Sequence, residues 1–387
     1  MAGNPWAGAT TSQWYIQEVT PGETPVTPIW SAFRYTGGIP TLTKEALQSE
    51  ELDDSREITD IRTGNESTAG EFSVELSPGS YTSVLENALR TSAETGFTET
   101  AVEITVDAVA KTFTRTAGDF VADGVVAGDL IYFKDLTGRN ADAFVVTAVA
   151  ALVISGGAIT TTLTTETATT DYTVADKYKT GSECKTMSVL TWLRGRCGTI
   201  EKYLLTTGVE MTGFSFEVAV NANVTGSFPM IGRKQVIIDA PPSGSSFLPA
   251  PTGRVFSGVD GKVIVDDAVA AYVTSATMTN DNSASPQFTL GDKSVSFVEI
   301  GRALNTVSAS AFMENFDLHD LFLNDTESAL NIVLSGPSGA MSFSYPKVFF
   351  TASTPEIGGE TSITQTIEAT ATGNKQQSSI VIQEIVY

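Results

Sequence analysis

The sequence contains one histidine, His319, set among carboxylates in Asp317-Leu318-His319-Asp320. A histidine beside an acid can act as general base for a nucleophilic serine. No Gly-x-Ser-x-Gly elbow accompanies it, so a histidine on the surface of a short helix is the simpler reading. Thr279-Asn280-Asp281-Asn282-Ser283 offers many oxygen ligands but lacks the spacing and distal glutamate of a calcium loop, and it reads as a polar turn. Arg194-Gly195-Arg196-Cys197-Gly198 joins cations to a pliable backbone, as a phosphate cradle does, yet it matches no Walker motif and opens no helix. The acids of Glu50-Glu51, Asp53-Asp54 and Asp266-Asp267 are adjacent, and neighbours on a strand point to opposite faces rather than across a scissile bond. Cys184 and Cys197 form no C-x-x-C or Cys/His cluster, and Cys197 has no nearby histidine to activate it. Asn65-Glu66-Ser67, Asn223-Val224-Thr225 and Asn324-Asp325-Thr326 fit the glycosylation triplet, which matters only in a secreted chain. No catalytic residue, cofactor or metal is therefore expected.

The elements that carry these residues are mostly strands. Phe72, Val74 and Leu76 alternate with Glu71, Ser73 and Glu75, and Phe214, Phe216, Val218 and Val220 alternate with Ser215, Glu217, Ala219 and Asn221, the period of a half-buried strand. Helical spacing is confined to Tyr81–Thr91, with Val84, Leu85, Ala88 and Leu89 on one stripe, and to Leu318–Leu323. Aligning these two helices at an offset of about 238 residues brings the flanking segments into step, Thr68–Val74 with Thr306–Phe312. An internal repeat is thus predicted. The Pro/Ser-rich stretch Ala240–Pro251 reads as an extended linker. Residues 101–180 hold several short strand patterns and a Thr-rich run from Thr160 to Thr170, as in a small inserted barrel or sandwich with an exposed, decorative surface.

The chain's 387 residues suffice for two or three domains. Its 45 acids and 23 bases give a net charge of -22, which repels phosphates and argues against a nucleic-acid grip. The opening MAGNPWAGATTSQWY has no basic start followed by an apolar run, so no secretory signal is expected, and synthesis in a reducing cytosol is the simpler reading. No stretch of ~18 apolar residues suggests a membrane span.

Three segments carry a likeness to a family. They are Ser55 to Leu76 running into the helix at Tyr81, Leu290-Gly291-Asp292-Lys293-Ser294 followed by Gly301-Arg302 and Phe312-Met313-Glu314-Asn315, and Pro355-Glu356-Ile357-Gly358-Gly359-Glu360. In order and texture the chain resembles the major tail tube proteins of long, non-contractile-tailed bacteriophages (siphophages) over residues 27 to 375. The stretch Thr114–Phe120 with Asp123-Gly124 and Gly128-Asp129 resembles a module carried by such proteins. The resemblance implies a mainly β fold of sandwich or barrel-like cores, each with a flanking short helix, whose inner strands line a hollow tube of stacked rings.

On that reading residues 1–26 are an N-terminal extension, 27–100 with 181–239 a first, discontinuous tube core, 101–180 an inserted β module, 240–253 a linker and 254–387 a second core. Two cores per chain imply a pseudo-hexameric ring of three copies. The implied partners are further copies of the chain, a tape measure protein inside the tube, and tail terminator and distal tail proteins at its ends. DNA passes through without specific binding, and no membrane is involved. The implied setting is the virion tail, made in the bacterial host cytoplasm, and the implied activity is structural, not enzymatic. Residues Ala46, Leu47, Glu50, Glu51, Asp53 and Asp54 are expected to form an acidic arm reaching the next ring. Glu57, Asp60, Glu71, Glu75, Glu210, Glu217 and Glu299 are expected as acids of the lumen. A β-sandwich adhesin or carbohydrate-binding surface protein is the rival reading. It calls for clustered exposed aromatics, whereas Trp6, Trp14 and Trp30 lie near the N-terminus with Trp192 far downstream.

Overall fold

A computed structural model describes residues 6, 8–51, 57–156, 163–195, 201–266, 268–270, 272–357 and 362–387. The fold is mainly β, and its backbone is one sheet made from the alternating segments. The strands of that sheet are β1 (Thr41–Gln48), β2 (Ile61–Glu75), β3 (Gly213–Ala219), β4 (Thr225–Gly232), β5 (Val273–Asp281), β6 (Leu304–Phe312), β7 (Gly339–Glu356) and β8 (Thr364–Ala371). They lie side by side as β1-β2-β4-β3-β5-β6-β8-β7, each neighbour antiparallel. One face is apolar. Phe72, Val74, Phe214, Phe216, Phe228, Met278, Val307 and Ile367 turn into a shared core, where a second layer that includes Tyr15, Val189, Ile332, Phe343 and Ile382 meets them.

The strand order β1-β2-β4-β3 recurs as β5-β6-β8-β7. Helix α1 (Thr82–Leu89) follows β2 and helix α2 (Asp317–Leu323) follows β6, close to the predicted helix bounds. We term these four-strand sets the leading and trailing blocks. The β2·β4 ladder runs from Glu75 opposite Thr225 to Thr68 opposite Gly232, and the β6·β8 ladder from Phe312 opposite Thr364 to Asn305 opposite Ala371. Matching these ladders end to end gives an offset of 312 − 75 = 237 for the second strand of each block, one less than the sequence alignment. The difference matters because strand faces alternate: an offset of 238 sets buried Phe72 on the outward Ser310, whereas 237 sets it on Ala309, which packs against the core. Thr306–Ala311 is made of small residues, which mark the phase of the strand weakly.

The helices differ in how firmly they are held. In α1, Val84, Leu85, Asn87, Ala88 and Leu89 are buried, and Asn87 ties the helix to its surroundings through Nδ2 to the Lys185 carbonyl (3.0 Å) and Oδ1 to the Met211 N–H (2.7 Å). Arg90 ends it in the left-handed region (φ 55), which closes the last carbonyls as a C-terminal cap does. No residue of α2 is buried.

Most of the stretch read as an inserted module folds as a closed six-stranded barrel whose strands run from Phe97–Asp107 to Glu166–Val174. Phe113 stacks on Phe133 and Phe144, with ring centroids 5.1 and 4.5 Å away. The module is not a loose decoration. Its core extends to Ile264, Val333, Ala340 and Ile385 of the second half, Gln383 accepts from Leu130 N–H (2.8 Å) and donates to the Gly128 carbonyl (2.6 Å), and Lys177 pairs with Asp129 (2.7 Å). Asp176–Lys179, placed by sequence in the module, instead pairs with Val381–Val386 outside the barrel. Of the threonine run, 160–162 lie outside the described residues, and from Glu166 onward it is a barrel strand with Thr170 buried.

The linker is also seated. Ser246–Leu248 pairs in parallel with Ile29–Ala32, and Trp30 donates to Ser245 Oγ (3.0 Å). Residues 12–17, read as an extension, form a strand against Met187–Arg194. Apolar packing explains both: Trp14, Trp30, Trp192, Tyr203 and Phe247 gather into a small core of their own.

Candidate functional site

The outward face of the eight-stranded sheet is a regular polar surface. Because side chains alternate across each strand, burying the phenylalanines and methionines turns every intervening residue outward. Register then lines those residues up across strands. One row reads Ser73, Ser227, Ser215, Thr279, Thr306 and Thr370, drawn from β2, β4, β3, β5, β6 and β8 in order. The row beside it reads Glu75, Thr225, Glu217, Thr277, Ser308 and Glu368. A third reads Ala219, Ser275, Ser310, Thr366 and Thr354. Neither lysine nor arginine stands in any of the three.

Hydroxyls and carboxylates have different roles on such a face. Ser215 Oγ lies 3.4 Å from Thr279 Oγ1, and hydroxyls of this kind offer only neutral hydrogen bonds to a passing molecule. Glu75 and Glu217 are two strands apart, which at ~4.8 Å per strand sets them ~10 Å from each other, about one screening length in ordinary salt. Their mutual repulsion is therefore small, while their common sign disfavours any resting phosphate.

The two blocks contribute equivalent residues. Glu217 faces Thr225 in the leading block and Glu356 faces Thr364 in the trailing one; Ser215 faces Ser227, and Thr354 faces Thr366. Glu356 and Glu368 were missed in sequence reading. The alternating Thr364-Gln365-Thr366-Ile367-Glu368 carries the same signal as Glu71 to Leu76, and would have led to them.

Of the acids expected on one surface, Glu71, Glu75 and Glu217 do share this face. Glu57 and Asp60 are exposed further along the β1–β2 hairpin, Asp60 beside Arg62 (3.0 Å). Glu299 lies in a separate two-stranded ribbon, where Gln287 donates to it (2.9 Å). Glu210 is a correction. It is 1% exposed, on a strand end whose neighbours Val209 and Met211 are also buried, and its carboxylate is held by Arg90 (2.8 Å) and Arg233 (3.7 Å). Those cations come from 120 residues upstream and 23 downstream, so the strand pattern alone pointed outward wrongly.

The arm takes the form of a hairpin rather than a loop. Ala46 and Leu47 belong to β1 and pair with Thr63 and Arg62, and Glu50 and Glu51 continue beyond it, all exposed. Asp53 and Asp54 lie outside the described residues. At the hairpin's base, Glu66 N–H donates to the Lys293 carbonyl (2.7 Å).

The residues weighed for chemistry are occupied in the fold. His319 Nδ1 is 2.9 Å from Ser353 Oγ, but Ser353 is buried and also receives the Gln365 amide, which leaves it no access to a substrate. Asn280 donates to Asn305 (2.8 Å) and Asn282 to the Ala88 carbonyl (2.7 Å), so the suspected calcium turn spends its amides on the fold. Arg194 lies over the Trp192 ring at 3.6 Å, while Arg196, Cys197 and Gly198 lie outside the described residues. Cys184 is an exposed free thiol. Among the described residues no group of three His, Cys, Asp or Glu side chains could hold a metal, and no helix is long and apolar enough to cross a membrane.

A wide sheet with a hydroxyl- and carboxylate-lined face suits a scaffold. Comparison with curated proteins finds no match. The family described as phage tail tube protein matches residues 8–371, a span that takes in both blocks, the barrel and the seated linker. The chain therefore belongs to the phage tail tube protein family, and it is a structural subunit of a bacteriophage tail tube.

Proposed function

We propose that the hydroxyl- and carboxylate-bearing face lines the bore of the tube and that the genome slides along it during ejection. The observation that carries this reading is the set of aligned outward rows without a single cation. A polyanion crossing them meets no charge-assisted partner, which is what firm phosphate binding requires. The leading and trailing blocks act as two tube cores, the barrel as an inserted module fastened to the second, and three chains close a pseudo-hexameric ring. The acidic arm read over Ala46, Leu47, Glu50, Glu51, Asp53 and Asp54 reaches the adjacent ring. Tape measure protein occupies the bore before DNA does, terminator and distal tail proteins cap the ends, and assembly takes place in the cytoplasm of a host infected by a siphophage.

The test replaces Glu75, Glu217 and Glu368 together with lysine in phage carrying the gene. Electron micrographs are expected to show tubes of normal width with three-fold end views, while DNA release after triggering slows by an order of magnitude and regains speed in high salt. Release at the parental rate from well-formed tubes would remove the face from the bore.

A further inference from the structure

The junction between the two blocks is a strand pairing inside one chain. β5 lies along β3 from Gly213 opposite Asp281 to Ala219 opposite Ser275, and just past β5, Asn282 donates to the Ala88 carbonyl near the end of α1. The trailing block ends in the equivalents of that receiving surface. Through the β4·β3 and β8·β7 ladders, Glu217 matches Glu356, so Gly213, Phe214 and Ser215 match Ala352, Ser353 and Thr354. This part of β7 also carries α2, through His319 Nδ1 on Ser353 Oγ, and Phe316 just before the helix and Leu323 at its end are exposed. The leading block begins in the equivalents of the inserting strand. Thr279, Asn280 and Asp281 pair with Thr306, Asn305 and Leu304, as Thr41, Leu42 and Thr43 pair with Ala69, Thr68 and Ser67.

We propose that a second copy of this chain docks its β1 on the β7 edge, with Thr43, Leu42 and Thr41 opposite Ala352, Ser353 and Thr354. The inference rests on the ring reading above and gives it a surface and a register. It continues the sheet and brings Thr41 and Thr43 onto the same outward face as Thr354. Lys44, which pairs with Glu66 in its own hairpin (2.7 Å), takes the place of Asn282 and arrives at the C-terminal end of α2, where carbonyl dipoles and the following Asp325 favour a cation. The next step in the register sets Pro355 opposite Pro40. Neither has an N–H to give, so the ladder halts there, shorter than the junction within the chain. Prolines at a free edge also discourage pairing with unrelated strands.

The experiment is disulfide trapping of the full-length protein in a Cys184→Ser, Cys197→Ser background. Facing residues of an antiparallel pair have Cα atoms about 4.5–5.5 Å apart, within disulfide reach. Thr41→Cys combined with Thr354→Cys in one chain is expected to give, on mild oxidation, a covalent trimer on a non-reducing gel. Either substitution alone should give none. Thr41→Cys with Glu356→Cys, displaced ~7 Å along the strand, should give at least tenfold less. Rings seen by electron microscopy without trapping of the matched pair, or with equal trapping of the displaced pair, would overturn the register and leave the ring standing. Monomers without rings would overturn both.

Discussion

Glu210 offers a test in which sequence and structure disagree. Gln in its place keeps the shape and removes the charge, leaving Arg90 and Arg233 without their shared anion. The carboxylate is enclosed, and side-chain exposure of the two arginines is only 12% and 20%. Removing one partner of a buried pair costs about 3–5 kcal/mol, and since Gln can still accept a hydrogen bond and the arginines reach some water, the lower end, about 3 kcal/mol, is expected. At about 2–4 °C per kcal/mol in chains of this class, that is a fall of ~6–12 °C in Tm. Glu217→Gln is the control: on the open face it should change stability by less than about 0.5 kcal/mol. Differential scanning calorimetry of both variants, with an Arg90→Gln cycle, measures the difference, and a coupling energy of about 2 kcal/mol between positions 210 and 90 is expected. A Glu210→Gln protein that melts within about 2 °C of the parent would refute the buried triad. Slower or faster DNA release from it with unchanged Tm would return Glu210 to the bore.

Three further outcomes are open to measurement. Burial pushes the Glu384 carboxyl up from 4.5 to about 7, so the folded state holds its proton more tightly than the unfolded chain; stability from this group is complete below about pH 4.5 and is lost as pH rises through 7. Urea midpoints of the parent should fall between pH 5 and 8 more than those of Glu384→Gln, and equal falls would count against it. Excising residues 98–173 with a short Gly/Ser bridge is geometrically mild, since Phe97 and Val174 face each other, but it uncovers Ile264, Val333, Ala340 and Ile385. Lower Tm and added dye binding by exposed apolar surface are expected, and an unchanged melting curve would mean the barrel contributes nothing to the second half. Deleting residues 46–54 should leave folded rings that stack into short tubes, and parental tube lengths would rule the hairpin out as the ring-to-ring contact.

Several features are legible in the sequence alone. Phe72-Ser73-Val74 and Phe214-Ser215-Phe216 announced their faces because a half-buried strand has a period of two, and Val84, Leu85, Ala88 and Leu89 announced α1 because a helix has a period of 3.6. The repeat was legible as an order of elements. Its phase was not, since the small residues of Thr306–Ala311 weigh little on either face.

What sequence settled by itself was local: strand or helix along the clearly alternating segments, which of their side chains share a face, and the excess of acid. The tertiary structure decided everything that needs residues far apart in the chain. It placed Arg90 and Arg233 on Glu210, seated the linker on Trp30, bolted the barrel to Gln383, and aligned Ser73, Ser215, Thr279 and Thr370 into one row. Hydrogen-bond register between strands fixes such neighbours, and register is set by packing of the whole sheet, not by the letters of any one strand.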